Sequence, residues 1–86
     1  MHIIYHPNFL KLAERLPIPQ QEKLAEIIIL LQDNPFNPTL HTKRLNGGLV
    51  GVLSFRITRD WRGTFQFLDN KTIQLLRVKH RKDIYR

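Results

Sequence analysis

The chain has no cysteine among its 86 residues. No disulfide can staple it and no thiolate site can hold zinc. No apolar run approaches the roughly 20 residues needed to cross a bilayer. The first residues, MHIIYHPNF, show no basic stretch followed by an apolar one, so no signal peptide is read there and a cytoplasmic location fits. A phosphate loop of the form G-x-x-x-x-G-K-[ST] is missing, and Gly47-Gly48 alone is turn chemistry. Ser54 lacks the G-x-S-x-G frame of a serine hydrolase. His2 and His6 are four apart, which on a strand separates them by about 13 Å. With no H-E-x-x-H and no second cluster, neither a metal nor a small-molecule cofactor is expected.

Acid is also scarce. Seven Asp and Glu stand against 14 Lys and Arg, for a net charge of +7. The imbalance is local. Residues 1–40 carry Lys11, Arg15 and Lys23 against Glu14, Glu22, Glu26 and Asp33, whereas eleven of the basic residues follow residue 40. A basic half points to an acidic partner, nucleic acid first among them. A solvated basic surface, neutralised by an acidic protein, is the plainer alternative.

At 42% hydrophobic residues the composition is globular, and 86 residues make one small domain, 1–86. His2 to Tyr5 reads as a short strand stopped by Pro7. Asn8 is a candidate N-cap, and Phe9, Leu12, Ala13 and Leu16 follow at helical spacing. Pro17 and Pro19 separate this helix from a second, spaced by Leu24, Ile27, Ile28 and Leu31 and ending near Asn34, before Pro35. The run Ile27-Ile28-Ile29-Leu30-Leu31 is apolar nearly all round. Either a wide core face or cover by another chain would account for it. Residues 35–48 form a long loop carrying His41, Lys43 and Arg44.

A hairpin follows. Leu53, Phe55 and Ile57 alternate with Ser54, Arg56 and Thr58. After a turn at Thr58-Arg59-Asp60, Trp61, Phe65 and Phe67 alternate with Arg62, Thr64 and Gln66. One face is apolar. The other is expected to be open and to bring Arg56 and Arg62 together, with Arg62 holding no core. A further turn at Asp69-Asn70-Lys71 leads to a last strand, Thr72 to Lys79. Its alternation is unclear, as if it were a central strand covered on both sides. The order is β-α-α-β-β-β, an α+β fold with a mostly antiparallel sheet packed on a helical hairpin.

Cleaving RNA without a metal requires a base for the ribose 2′-hydroxyl, cations for the crowded phosphate and an acid for the leaving 5′-oxygen. Arg56, Arg62 and Arg81 suit the phosphate, since the guanidinium fork matches its oxygens. His80 suits proton transfer near neutral pH. Tyr85 can stack on a base or donate a proton. His41, Lys43, Arg44, Arg59, Lys79 and Lys82 are candidates for holding the RNA backbone. Each has a plain alternative: Arg56 or Arg59 pairing with Asp60, His80 capping the strand, Tyr85 packing on the core.

The order of elements resembles the RelE/ParE superfamily of bacterial and archaeal type II toxins. So do Leu45-Asn46-Gly47, Phe55-Arg56-Ile57 running into Asp60-Trp61-Arg62, and the ending Val78-Lys79-His80-Arg81-Lys82-Asp83-Ile84-Tyr85-Arg86. The resemblance spans nearly the whole chain. It implies a ribosome-dependent mRNA endonuclease acting by 2′-hydroxyl attack, with Arg56, Arg62, Arg81 and Tyr85 on the family's functional positions. His80, and behind it His41, match relatives that use histidine as acid and base. It also implies a cognate antitoxin. A basic residue that RelE carries two positions before the first arginine falls here on Ser54, a departure from RelE itself. ParE-like members share the fold but inhibit DNA gyrase without cutting RNA, and a plain RNA-binding module is the third class. The strand order is not that of an RRM.

Overall fold

The computed structural model describes residues 1–85; Arg86, the last residue of the family-like ending, lies outside them. The elements are β1 (His2–Tyr5), α1 (Pro7–Glu14), α2 (Ile18–Asp33), a 3-10 turn at Pro38–Leu40, β2 (Lys43–Arg44), β3 (Leu53–Arg56), β4 (Trp61–Asp69), β5 (Thr72–His80) and a second 3-10 turn at Arg81–Asp83. The fold is α+β. Its sheet runs β1-β5-β4-β3-β2, with β1 parallel to β5 and every other pair antiparallel. The expected order holds, with β2 added: the loop of residues 35–48 contributes a two-residue edge strand.

Proline chemistry sets the helix starts. Pro7 occupies the first turn of α1, where its fixed φ suits the helix and its missing N–H costs nothing. The N-cap is therefore His6, whose Nδ1 accepts from Asn8 N at 3.0 Å, and Asn8 lies inside the helix. Pro17 caps α2, and Asn34 ends it before Pro35. Phe9 of α1 and Leu16, just past its end, join Leu24, Ile27 and Leu31 of α2 over Phe55, Phe65, Ile73 and Leu75 of the sheet. Within the apolar run of α2, Ile27 and Leu31 are buried and Ile28 and Leu30 half-buried, which is a wide core face. Ile29 remains 67% exposed.

The irregular alternation of the last strand has a specific cause. Thr64 pairs with Arg77 but Phe65 pairs with Leu75, so Leu76 is an extra residue in β5. A bulge of this kind resets the pleat. Ile73, Leu75 and Val78 can then all reach the core.

The second sheet face is less open than the alternation alone implies. Ser54 and Thr64 are 1% and 4% exposed. Leu45 and Ile84 are buried outside the main core cluster. Both border, with Leu49, Val52 and Leu76, a small cavity of about 150 Å³ that reaches Thr64. The β2–β3 connection and the C-terminal segment thus roof the middle of that face, leaving its Arg56–Arg62 end accessible. Among the described residues, no helix is long and apolar enough to cross a membrane.

Candidate nucleic-acid interface and active site

Strand register assembles the basic site. Arg56 of β3 lies opposite Arg62 of β4, and Arg62 lies opposite Lys79 of β5. Directly paired residues share a face, and neighbouring strands are about 4.8 Å apart. Three cations therefore cross the sheet in one row. Like charges placed opposite one another destabilise a sheet, so an anion seated on the row would offset a cost already built into the fold.

Arg62 is half-buried and folds back on the hairpin turn. One of its terminal nitrogens, Nη1, donates to the carbonyls of Thr58 at 2.6 Å, Arg59 at 2.9 Å and Trp61 at 3.1 Å. It holds no core, as the sequence implies, but it does hold the turn. Burial, and then the charges of Arg56 and Arg81, push its pKa below the ordinary arginine value, while Asp60 pulls the other way. It stays protonated, as arginine does in proteins. Arg56 is also half-buried, and its Nε is enclosed with no hydrogen-bond partner among the described residues.

The C-terminal segment is pinned to the same turn. Arg81 N donates to the Asp60 carbonyl at 2.8 Å, and Arg81 Nε sits 3.5 Å from Asp60 Oδ1. Asp60 thus pairs with Arg81, not with Arg56 or Arg59. This contact brings the arginine of the family-like ending close enough for its charge to act on Arg62.

His80 is placed differently. It lies opposite Trp61, one residue out of phase with Lys79 and Arg62, so the register turns it toward the helix side of the sheet. Its ring meets Trp61 edge-on, with centroids 5.4 Å apart, and its Nδ1 accepts from Lys82 N at 3.3 Å. The capping role is therefore real, though it caps the 3-10 turn and not the strand. An accepting Nδ1 fixes the neutral tautomer as Nε2–H, so the ring takes up a proton only at Nδ1, when this cap opens. His80 and Lys79 both line an open groove of about 330 Å³ with Trp61, Val78 and Asp83, so the histidine is reachable from the strand end. Tyr85 is 55% exposed, which removes the reading that its ring packs on the core.

The remaining candidates divide by register. Lys43 pairs with Ser54 and shares the face of the basic row, whereas Arg44 pairs with Leu53 and points the other way. Arg59 is exposed in the turn, and Lys82 is exposed in the C-terminal 3-10 turn. His41, exposed and left-handed at φ 49°, ends the other 3-10 turn. Arg77 is a cation the sequence reading passed over. It pairs with Thr64 on the face of Lys79, and the i, i+2 spacing from Lys79 was the available signal. A surface hollow of about 820 Å³ around Met1, Asp69 and Thr72 lies seven residues down β5 from Lys79, about 23 Å away. It has no part in this arrangement.

No protein-family model matches the chain, and no curated protein matches it in sequence. Solved structures do match in fold. A YoeB/ParE toxin from Agrobacterium tumefaciens superposes with a TM-score of 0.76 at 19% identity, covering 93% of this chain and 98% of that one. The fold is that of the RelE/ParE superfamily. A chain of the RelB-RelE antitoxin-toxin complex from Methanococcus jannaschii is similar at a TM-score of 0.75 and 24% identity, over 95% of this chain and 94% of that one. A chain of the DinJ-YafQ complex from E. coli is similar at 0.74 and 19%, over 98% and 97%.

Proposed function

We propose that this chain is the toxin of a type II toxin–antitoxin pair, and that it cleaves mRNA on the ribosome without a metal cofactor. The observation that carries the reading is the row Arg56–Arg62–Lys79, closed at one end by Arg81. Superfamily-fold structures solved as antitoxin–toxin complexes support the toxin role.

In this reading the scissile phosphate sits on the row. The ribose 2′-oxygen attacks phosphorus as its proton passes to a base. The bond from phosphorus to the 5′-oxygen breaks, and that oxygen takes a proton. The products are a 2′,3′-cyclic phosphate and a 5′-hydroxyl. Arg56, Arg62 and Arg81 stabilise the charge that builds on the phosphoryl oxygens, a role that matters most in the transition state. His80, once its Nδ1 leaves the Lys82 amide, is the candidate for moving a proton, and Tyr85 for stacking on the nucleotide or orienting it. The cognate antitoxin covers exposed apolar helix surface around Ile29 and neutralises the basic site.

The departure at Ser54 favours the second reading, a ParE-like inhibitor of gyrase. That position is buried here, so no lysine-like contact extends the row in that direction. The two readings separate on induction in cells: translation should stop first for the nuclease, and DNA supercoiling for the gyrase inhibitor. Primer extension on mRNA from the induced cells should show discrete cuts. Intact mRNA with inhibited gyrase would reject the nuclease reading.

A further inference from the structure

A second basic cluster lies outside the proposed catalytic row. Between α1 and β5 is a concavity of about 180 Å³ lined by Asn8, Lys11, Leu12, Arg15 and Arg77. Three of these five residues are cations and none is a carboxylate. Lys11 and Arg15 stand at i, i+4 on one helix face, where like charges repel. Arg77 comes from a strand 62 positions later in sequence and adds a third positive charge. The ion pairs Lys23–Glu26 and Arg81–Asp60 involve none of these three. The negative end of the α1 dipole accounts for a cation at Lys11 or Arg15. It does not account for Arg77 being set against them.

The cluster is continuous with the row. Arg77 also borders the small cavity on the sheet face, whose wall includes Lys79, and Lys79 is the register partner of Arg62. Arg77 and Lys79 are two residues apart on β5, about 7 Å along the strand. β1 ends opposite Leu75, so at Arg77 the chain has already turned away into α1, and among the described residues no strand covers this edge. A path of positive charge thus leaves the sheet, passes over the edge of β5 and reaches α1.

We propose that Lys11, Arg15 and Arg77 form a second phosphate-backbone contact, which carries the RNA flanking the cut site across the β5 edge onto α1. This inference rests on the RNA reading above. Guanidinium and ammonium groups on two elements suit successive phosphodiesters, and the Asn8 amide can donate to a phosphate oxygen.

The test titrates wild type and a Lys11→Gln/Arg15→Gln/Arg77→Gln variant against 70S ribosomes carrying a defined mRNA, between ~50 and ~200 mM salt. Thermal melting of each protein controls for folding. The slope of log affinity against log salt should be shallower by about 2 in the triple variant, from three contacts at about 0.7 each. Lys71→Gln, at the far turn, should leave the slope unchanged. Should the triple variant fail to fold, Arg77→Gln alone should change the slope by about 0.7. A wild-type slope in the variants, or an equal change from Lys71→Gln, would overturn the inference. So would an unchanged ribosome slope with weakened neutralisation by the antitoxin, which would assign the cluster to an acidic protein. A wild type that shows no salt-dependent ribosome binding would instead remove the RNA reading itself.

Discussion

Arg62 holds the hairpin turn and, in the proposed reading, also grips the phosphate, and substitution can separate the two. Its three hydrogen bonds to turn carbonyls mean that Arg62→Ala loosens the hairpin as well as the phosphate site. Losing charge-assisted bonds of this kind should cost on the order of 1–3 kcal/mol. Arg62→Lys keeps the charge but not the fork. It should melt closer to wild type while cleavage still falls by ~10²-fold or more, the scale seen when one transition-state donor is lost. Melting curves beside single-turnover cleavage decide the point. An Arg62→Lys protein with wild-type cleavage would take Arg62 out of phosphate recognition. The proposed proton transfer by His80 is separable from its cap in the same way. Asparagine is a good N-cap, so His80→Asn should keep the 3-10 turn and the melting temperature yet lose ~10²–10⁴-fold in rate, along with one limb of the pH–rate profile. His2→Ala and His6→Ala should leave that profile in place, although His6→Ala loses the α1 cap and should cost about 1 kcal/mol in melting. A His80→Asn protein with an intact profile would leave His80 only as a cap.

At the scale of elements, the β3–β4 hairpin was legible in the sequence because a period of two is simple to read, and Arg56 and Arg62 do face each other. Three features were not legible, each for a local reason. The bulge at Leu76 breaks the period, so the core face of β5 could not be assigned by alternation. The covers provided by Leu45 and Ile84 depend on chain segments folding back, which periodicity cannot report. Asp60 finds Arg81 through the geometry of the turn, 21 positions away in sequence. Gly63 is a fourth such detail. It lies opposite Phe55, and a Cβ there would overlap the Phe55 ring. Gly63→Ala should therefore cost about 1–3 kcal/mol, as overpacking does. A melting temperature equal to wild type would show that the ring has room to move. On α2, Ile29 is exposed on an otherwise inward run. Ile29→Lys should change stability by less than about 0.5 kcal/mol while weakening neutralisation by the antitoxin. Full neutralisation would place the antitoxin elsewhere.

For the whole molecule, the uneven charge is the property that joins sequence to proposed function. Eleven of 14 basic residues fall after residue 40, and the fold gathers several of them on one end of one sheet face, with Arg81 tied in through the hairpin turn. Lys11 and Arg15, from the more acidic half, extend the surface because α1 packs against β5. The composition could indicate a polyanionic partner. It could not indicate chemistry, which depends on whether the row grips a phosphate tightly enough to drive 2′-hydroxyl attack. The ends of the cut mRNA report that step most directly. Purified protein, ribosomes and a defined mRNA should yield fragments with a 2′,3′-cyclic phosphate and a free 5′-hydroxyl, which polynucleotide kinase can label without prior phosphatase. Fragments bearing a 5′-phosphate would mean that water attacked in place of the ribose, and would contradict the account.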